Sequence, residues 1–568
     1  MFSQKTLIAP LLSLVASSAG SIIMSDAVPL LGPSFGSNFN ISDSKAISDA
    51  KAAFPGLIEN LFSTHVLNST DTVFAIDVFS ASTNESIYSY YHVGEGQNET
   101  LTSGELNDET IGRLGSVSKL FTVYAILAKA GIEIFSHPVI RYLPELAGNS
   151  LDDALQKIHW EDITVGALAS HQAGTGGGTD LIVEYAEKLD ELTVQVLLKF
   201  MRDNKHPVVS PFRVPAYSDS GFAVLGVILE RLTGLAYEDA MEDALFSPLG
   251  LDSMTIRTPS GPDVNAINRI PIDNTSAWTI VVERFAPSGG LYANSADLRA
   301  AGLSILNSEL LSPATTREWM KPHSGTGSLV ELVGAPWEIT RLAIPATPGS
   351  NRTRVSDLYT KPGGNGDYTC IFALSPDHGI GYSILVAGST ASSARWPLRD
   401  LVGETFIPAA EYAAAENAEH NFAGVFVDET AEGTNLTLTV DEGLPGLGLE
   451  SFFIEGVDSR YALLGASEPL PLSTRLYSTG VTSPSGSLAT LYSSKGTIRM
   501  SYRVVAMALP LADRAEVEGG KGGLFDNSFA WVNLGFFGAI DEFVFEIVDG
   551  RLVSVASSLT ETTLKRVE

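Results

Sequence analysis

Ser116 and Lys119 have the spacing of a nucleophile and its base on one turn of a helix. The apolar run 120–130 predicts a helix that starts just after Ser116. Side chains three residues apart share a helical face, so the lysine can reach the serine hydroxyl. The helix N-terminus adds a positive field at the serine. Burial among apolar neighbours disfavours a charged lysine and suits it to act as a base.

A serine followed three residues later by a lysine is a weak pattern alone, and two other segments compete with it. Residues 42–45 (SDSK) repeat the spacing, and residues 32–36 (GPSFG) match the GxSxG pattern of another serine hydrolase class. The GxSxG pattern needs a strand before it and a helix after it, and the sequence predicts neither there. We interpret both segments as fortuitous matches.

Two further motifs distinguish Ser116 from these segments. Residues 217–219 (YSD) precede a helix predicted at 221–233, and residues 361–364 (KPGG) precede a strand pair predicted at 368–374 and 381–387. Three motifs in this order, each beside the secondary structure that it needs, are far more specific than any one of them.

With these motifs and their flanks, the chain resembles the superfamily of class C β-lactamases, DD-peptidases and related serine esterases over roughly residues 58–406. The resemblance is strongest to fungal secreted members with an added C-terminal β domain. The matching stretches are GSVSKLFT at 115–122, ITV to HQAG at 163–174, YSDSGFAVLG at 217–226, PLGL at 248–251, and SGGL followed by ADL at 288–298.

The resemblance implies a role for each site residue. Ser116 would attack an ester or amide carbonyl and form an acyl-enzyme, while Lys119 and Tyr217 share proton transfer. Lys361 would hold the phenolate form of Tyr217 and a substrate carboxylate. The backbone N–H groups of Ser116 and Gly364 would form the oxyanion hole. No cofactor is implied.

Two positions depart from the family pattern. Asp219 stands where the family usually has Asn, and it could pair with Lys119 and weaken it as a base, or simply orient it. Pro362 replaces the Thr or Ser hydroxyl that would meet a β-lactam carboxylate. Both changes favour esterase or transacylase activity over β-lactamase activity. His171 is interpreted as a structural, hydrogen-bonded histidine.

The predicted function is therefore a serine hydrolase or transacylase acting on a small ester, lactone or amide. A D-amino-acid amidase, peptidase or β-lactamase remains an alternative with the same chemistry. A non-catalytic binding scaffold is an alternative from another class. The sequence leaves open the acyl donor, the acyl acceptor and the oligomeric state.

Composition limits the possible partners. The net charge of −30 over 568 residues disfavours nucleic acid and anionic membranes. Cys370 is the single cysteine, so no intramolecular disulfide or cysteine-based zinc site can form. The nine histidines form no HExxH motif, and we expect no metal.

The first twenty residues predict a secretory signal peptide, with a basic start, an apolar stretch and small residues near its end. After its cleavage we expect a secreted protein without a membrane anchor. Sequons follow at Asn40, Asn68, Asn84, Asn98, Asn274, Asn351 and Asn435, which predicts a glycoprotein.

The predicted fold is an α/β (α+β) hydrolase domain over 21–420, with an antiparallel sheet, flanking helices and a helical subdomain. An all-β barrel or sandwich follows over 421–568. Residues 22–42 are expected to form an irregular surface segment. The remaining elements predicted are helices at 43–62, 164–170, 237–245, 295–306 and 397–419, and strands at 72–80, 86–93, 435–440, 497–505, 529–534, 542–547 and 552–556.

Overall fold

The structure is a computed structural model, which describes residues 31–567 apart from 98–99, 186–187, 262–263, 268–276, 281, 351–352, 465–470, 485–490, 509–533, 536–537 and 560–562. The predicted signal peptide lies outside the described residues, as do the sequons at Asn98, Asn274 and Asn351 and most of the strand predicted at 529–534.

The chain folds as two compact units. One consists of residues 51–341 and 357–405, and the other of residues up to 50, 342–356 and 406–568. The domain boundaries expected at residues 20 and 420 stay predictions.

The first unit is built on an eight-stranded sheet in the order β2-β1-β10-β9-β8-β7-β6-β5. Its strands are β1 (Val73–Ser80), β2 (Glu85–Val93), β5 (Ser324–Gly325), β6 (Glu331–Val333), β7 (Glu338–Pro345), β8 (Thr353–Asn365), β9 (Tyr368–Ser375) and β10 (Ile380–Ala387), with a separate pair β3 (Gly112–Arg113) and β4 (Tyr292–Ala293). The pairs β1–β2, β1–β10, β9–β10 and β8–β9 are antiparallel. Every residue of β1, β9 and β10 is buried, as expected of apolar strands covered on both faces.

Helices make up most of the rest of this unit, and its first and last helices, like β7 and β8, extend into the residue ranges of the other unit. The helices are α1 (Lys45–Ser63), α2 (Ser118–Ala130), α3 (Val165–Ala169), α4 (Thr179–Glu184), α5 (Val194–Asp203), α6 (Asp219–Thr233), α7 (Tyr237–Met241), α8 (Ser247–Leu249), α9 (Ala286–Gly289), α10 (Ser295–Asn307), α11 (Pro313–Trp319) and α12 (Ala391–Asn421). The helix α10 packs against β1 and β10, whereas α2, α6 and α9 pack on one another. This packing confirms the predicted sheet with flanking helices.

Several predicted elements differ in detail from the structure. The helix expected at 237–245 is interrupted after α7 by a π-helical turn (Glu242–Phe246). The helix expected at 397–419 extends at both ends to become α12. The N-cap of α10 is Asn294, whose side chain accepts the Asp297 N–H at 2.8 Å, rather than the Ser295 and Asp297 start signals that were expected.

One expectation is wrong. Residues 34–39 are buried, Phe35 and Asn38 almost completely, because the aromatic side chains of this segment pack away from solvent. Residues 361–364 do precede the strand pair of β9 and β10, but they also form the end of a strand of their own, β8, which was not predicted. A proline and two glycines argue against a central strand, but packing outweighs this local preference here.

The second unit contains a nine-stranded sheet in the order β12-β11-β19-β18-β17-β16-β15-β13-β14. Its strands are β11 (Gly424–Val427), β12 (Asn435–Thr439), β13 (Leu447–Ile454), β14 (Val457–Asp458), β15 (Leu472–Ser483), β16 (Thr497–Ala508), β17 (Glu542–Val548), β18 (Arg551–Ser557) and β19 (Thr563–Arg566). An additional pairing of β12 with β13 closes eight strands into a barrel, which confirms the predicted all-β domain. Burial alternates along β17, so every second side chain points into the barrel.

Across the described residues, no individual helix combines the length and apolar composition that a membrane span requires. The helical pair 219–233 and 237–249 meets these criteria only when joined across its 72° bend.

Candidate active site

Ser116 lies on a tight turn that leads into a helix. The turn is a 3-10 helix (Gly115–Val117), and α2 follows it directly. The hydroxyl of Ser118 donates to the Gly115 carbonyl at 2.7 Å and holds the turn closed. Gly115 has φ +54°, and a Cβ there would lie 2.5 Å from the Gly364 backbone nitrogen. This position therefore requires glycine both for its conformation and for the close approach.

Lys119 is completely buried, with its ammonium group facing three acceptors. Its Nζ lies 3.1 Å from Ser116 Oγ, 2.6 Å from Asp219 Oδ1 and 2.7 Å from the Ser288 carbonyl oxygen. An ammonium group has three N–H donors, so this geometry occupies all of them. The packing of α2 on α6 and α9 brings these partners together, because Asp219 and Ser288 lie on those helices.

The helix α6 orients the second motif. Ser218 is its N-cap and accepts the Gly221 N–H at 2.8 Å. Asp219 is therefore the first helical residue, where the helix dipole favours a carboxylate. Tyr217 precedes the cap, outside the helix, and 44% of its surface is exposed.

Tyr217 lies close to both buried lysines of the site. Lys119 Nζ lies 4.8 Å and Lys361 Nζ 5.2 Å from the centroid of its ring. Its hydroxyl interacts with Ser116, Lys119 and Lys361. Burial alone would raise the pKa of Tyr217, but the charges of Lys361 and Lys119 outweigh it, so this pKa lies below the usual value for tyrosine.

Lys361 enters the site from β8, where it is buried. Its Nζ donates to Glu338 Oε1 at 2.6 Å and to the Pro362 carbonyl at 2.8 Å. Burial lowers the pKa of Lys361, but the negative charges of Glu338 and Tyr217 outweigh it, so the net shift is upward. Lys361 therefore carries its positive charge at neutral pH.

The strand β8 passes directly beside the Ser116 turn. A Cβ on Gly363 would lie 1.9 Å from the Leu114 carbonyl oxygen and 2.9 Å from the Ser116 nitrogen. Gly364 follows and is exposed to solvent. The guanidinium of Arg395, on α12, donates to the Gly363 carbonyl at 3.0 Å. The backbone N–H groups of Ser116 and Gly364 thus belong to segments in direct contact.

The structure brings together six residues that the sequence singles out, namely Ser116, Lys119, Tyr217, Asp219, Lys361 and Gly364. It adds Glu338, Arg395 and the Ser288 carbonyl, which the sequence analysis missed. Glu338 is the first residue of β7, a strand that was not predicted. Without that strand, there was no reason in the sequence to place the Glu338 carboxylate beside Lys361. The competing serines, Ser34 and Ser42, belong to the other unit. Ser34 is buried, and Ser42 is exposed on a 3-10 turn (Ile41–Asp43).

Of the predicted glycosylation sites in the described part of the chain, Asn40, Asn68 and Asn84 are exposed, and Asn435 is partly buried. Among the same described residues, no group of three or more His, Cys, Asp and Glu side chains has the arrangement of a metal site.

A family model described as "Beta-lactamase" matches residues 82–404, which is more than half of the chain. The chain belongs to the β-lactamase family. A second model, described as "Beta-lactamase-like-like, C-terminal domain", matches residues 414–568, where the barrel of this β-lactamase-family protein lies.

Relatives of this β-lactamase-family protein occur in fungi and in bacteria. The Beta-lactamase-like protein of Arthroderma benhamiae is 26% identical over 490 residues, which cover 78% of this chain and 79% of that protein. A probable hydrolase of Phoma sp. is 27% identical over 429 residues, covering 68% of this chain and 67% of that protein. The crystal structure of a D-stereospecific amidohydrolase from Streptomyces sp. aligns with a TM-score of 0.44 and 17% identity, over 63% of this chain and 98% of that one.

Proposed function

We propose that this β-lactamase-family protein is a serine hydrolase or transacylase that forms an acyl-enzyme on Ser116 with a small ester, lactone or amide. The observation that carries the proposal is the contact of Ser116 Oγ with Lys119 Nζ at 3.1 Å, beside a tyrosine whose pKa lies below its usual value. A nucleophile, a candidate base and a cation that orients both are what acyl transfer requires.

The proposed base is Tyr217 as its phenolate. All three donors of the Lys119 ammonium have acceptors, one of them the carboxylate of Asp219. An ammonium group that donates in this way has no lone pair with which to accept the Ser116 proton. Tyr217 has a lowered pKa and interacts with Ser116, so it can take the Ser116 proton.

The proposed reaction has two steps. As Tyr217 accepts its proton, Ser116 Oγ attacks the substrate carbonyl carbon, and the backbone N–H groups of Ser116 and Gly364 stabilise the oxyanion. Loss of one such donor typically raises a barrier by about 3 kcal/mol. The tetrahedral intermediate collapses, Tyr217 returns the proton to the leaving group, and the acyl group remains on Ser116. Water or an alcohol then takes the acyl group by the reverse sequence.

The charge balance of the site supports a substrate without a carboxylate. Asp219 pairs with Lys119, and Glu338 pairs with Lys361 at 2.6 Å. Pro362 offers no hydroxyl beside Lys361. A β-lactam or a peptide ending in D-alanine would bring a further negative charge to cations that already have partners, whereas a neutral ester would not.

Exposed apolar side chains beside Tyr217 support an apolar acyl group. Val208, Phe212 and Val214 are 55%, 53% and 45% exposed, and all three precede Tyr217 by fewer than ten residues. We call these three residues the apolar rim. Its backbone is held close to the site, because the Phe212 N–H donates to the Gln172 carbonyl at 2.9 Å. Exposed apolar side chains of this kind suit a hydrocarbon chain.

Covalent labelling tests the nucleophile. A fluorophosphonate probe should label the full-length protein, and Ser116→Ala should abolish labelling, with Ser63→Ala as a control at an exposed serine. Equal labelling of the wild type and Ser116→Ala would exclude Ser116. Rates with p-nitrophenyl esters, nitrocefin and a D-Ala-D-Ala peptide should then favour the esters.

We also propose that the protein enters the secretory pathway and is glycosylated. The apolar N-terminal stretch and the exposed sequons Asn40, Asn68 and Asn84 support this. Expression in a fungal host should release the protein into the medium in a form that a glycosidase shortens on a gel. Retention in the cell without any such shift would contradict both points.

A further inference from the structure

His171 is a buried histidine that the proposed reaction does not use. It lies just beyond α3 and adopts φ +59°, a left-handed conformation that histidine tolerates better than most residues. Its imidazole ring stacks on the ring of Tyr217, with centroids 4.4 Å apart and planes at 26°. It also contacts the ring of Phe222, with the centroids 5.3 Å apart.

The hydrogen bonds of His171 define its tautomer. The Ser218 N–H donates to Nδ1 at 3.1 Å, and a backbone N–H cannot accept, so Nδ1 carries no proton. The neutral ring therefore carries its proton on Nε2, which is buried and has no hydrogen-bond partner among the described residues. Burial lowers the pKa of His171 far below its usual value, and the charges of Lys119 and Lys361 lower it further, so the ring stays neutral.

The unpartnered buried Nε2–H is unfavourable, so other contacts must favour histidine at this position. Three requirements meet at this position: an acceptor for the Ser218 N–H, a flat ring against Tyr217, and a positive φ. Asparagine supplies the acceptor and tolerates the backbone conformation but has no ring. Phenylalanine supplies the ring but has no acceptor. Histidine alone satisfies all three.

We infer that His171 is a positioning residue, which holds the Tyr217 ring flat between the two lysines and fixes the start of α6 through Ser218. The inference rests on the proposed function, in which Tyr217 is the base. Tyr217 is 44% exposed, so without the stacked ring its side chain can turn away from the site. The charged groups around its hydroxyl are Lys119 on α2, Asp219 on α6, Glu338 on β7, Lys361 on β8 and Arg395 on α12.

Displacement of Tyr217 has a definite consequence for its titration. In place, the two lysines hold the pKa of Tyr217 below its usual value. If the Tyr217 side chain turns away, its hydroxyl is no longer close to these cations, and its pKa rises toward the usual value for tyrosine. The acid limb of the activity should therefore move to higher pH, while substrate binding that does not involve Tyr217 should persist.

The test uses full-length His171→Asn and His171→Phe. The ionisation of Tyr217 is followed as the tyrosinate ultraviolet absorbance, taken as the difference from the matching protein that also carries Tyr217→Phe. We expect His171→Asn to move this ionisation to higher pH and to lower kcat/KM for a p-nitrophenyl ester at pH 7 about tenfold or more, with little change in KM. His171→Phe should keep the ionisation near its wild-type position but melt at a lower temperature, because it leaves the Ser218 N–H unpaired.

An unchanged Tyr217 titration in a folded His171→Asn protein would overturn the inference. The tyrosinate absorbance does not depend on turnover. It therefore tests the positioning role of His171 separately from the proposed acyl-enzyme chemistry on Ser116. A wild-type protein without Ser116-dependent turnover, in which His171→Asn still shifts the Tyr217 titration, would refute the proposed function and leave the positioning role intact. If His171→Asn fails to fold, His171→Gln offers a longer amide acceptor and the same readout.

Discussion

The two lysines of the site differ in what surrounds them, although both are buried and paired with a carboxylate. Lys119 donates to a serine, an aspartate and a carbonyl, so its position is determined on three sides. Lys361 contacts Glu338 and the hydroxyl end of Tyr217. At the residue scale, Lys119 orients the nucleophile, and Lys361 sets the ionisation of the base.

Replacing Lys361 tests this division. Tyr217 must be ionised to accept a proton, so kcat/KM should fall as the pH drops through the pKa of Tyr217. The charge of Lys361 lowers that pKa, and its removal in Lys361→Gln should raise it. We expect the acid limb of the kcat/KM profile to move to higher pH by about one unit or more. The exposed Lys565→Gln serves as the control, and identical profiles for all three proteins would contradict the role of Lys361.

At the scale of elements, the site depends on how closely β8 approaches the Ser116 turn. Both Gly115 and Gly363 lie at this contact, and neither has room for a side chain. The next residue, Gly364, is different, because a Cβ there would meet only the end of the Arg395 side chain at 2.8 Å. The two neighbouring glycines therefore make a matched pair for substitution.

We expect Gly363→Ala to separate β8 from the turn and to reduce esterase activity at least a hundredfold, since a small displacement of oxyanion donors and nucleophile is costly. Gly364→Ala should retain most of the activity, because the flexible Arg395 side chain can move. Ester hydrolysis and thermal melting of both proteins check this. Equal losses of esterase activity in the two variants would show that the contact between β8 and the Ser116 turn is not the reason for the loss.

The apolar rim is a second structural element that can be tested by substitution. Phe212 has φ +60°, and a bulky residue in this region costs about 1–3 kcal/mol in backbone strain. Phe212→Gly removes the strain and the ring together. We expect unchanged or higher stability, a several-fold loss of kcat/KM for long-chain esters, and little change for acetate esters.

Rates across a series of p-nitrophenyl esters, with a denaturant melt, measure both effects of Phe212→Gly. Val183→Ser is a control of similar exposure in the same unit of the fold. A loss that is uniform over chain length would exclude acyl recognition by the rim.

At the scale of the whole molecule, a buried ion pair ties together distant parts of the second unit. Arg354 and Glu411 are almost completely buried and meet through two hydrogen bonds of 2.8 and 2.6 Å. Arg354 belongs to the segment 342–356 and Glu411 to the segment that begins at 406. A two-point pair of this kind determines geometry as well as charge.

Glu411→Ala removes the carboxylate that meets the buried Arg354 guanidinium, and we expect it to lower the free energy of unfolding by about 3–5 kcal/mol. Glu429→Ala removes the partner of Lys565 in an exposed pair, which should cost less than about 1 kcal/mol. Denaturant unfolding of the full chain, followed by intrinsic fluorescence and circular dichroism, compares the two variants. Similar small losses in both would mean that the buried pair contributes no net stability.

Local sequence patterns were sufficient to predict many of the helices and strands. The helix after Ser116 and the buried strands β9 and β10 are apolar runs of characteristic length, so their prediction needed no distant residue. The strand character of residues 361–364 was missed, because Pro362 and two glycines have low strand propensity, and pairing with β9 overrides it. The short strands β5 and β6 carry too few residues to show a period.

The family resemblance, the order of the motifs and the candidates Ser116, Lys119, Tyr217 and Lys361 follow from the amino-acid sequence alone, because each motif is local and has a characteristic neighbourhood. The pairing of the charges follows from the tertiary structure. Glu338 on Lys361, Asp219 on Lys119 and His171 on Tyr217 are contacts between residues that lie 23 to 100 apart in the chain. Such pairing depends on how helices and strands pack, and it is the pairing that sets the ionisation of the site.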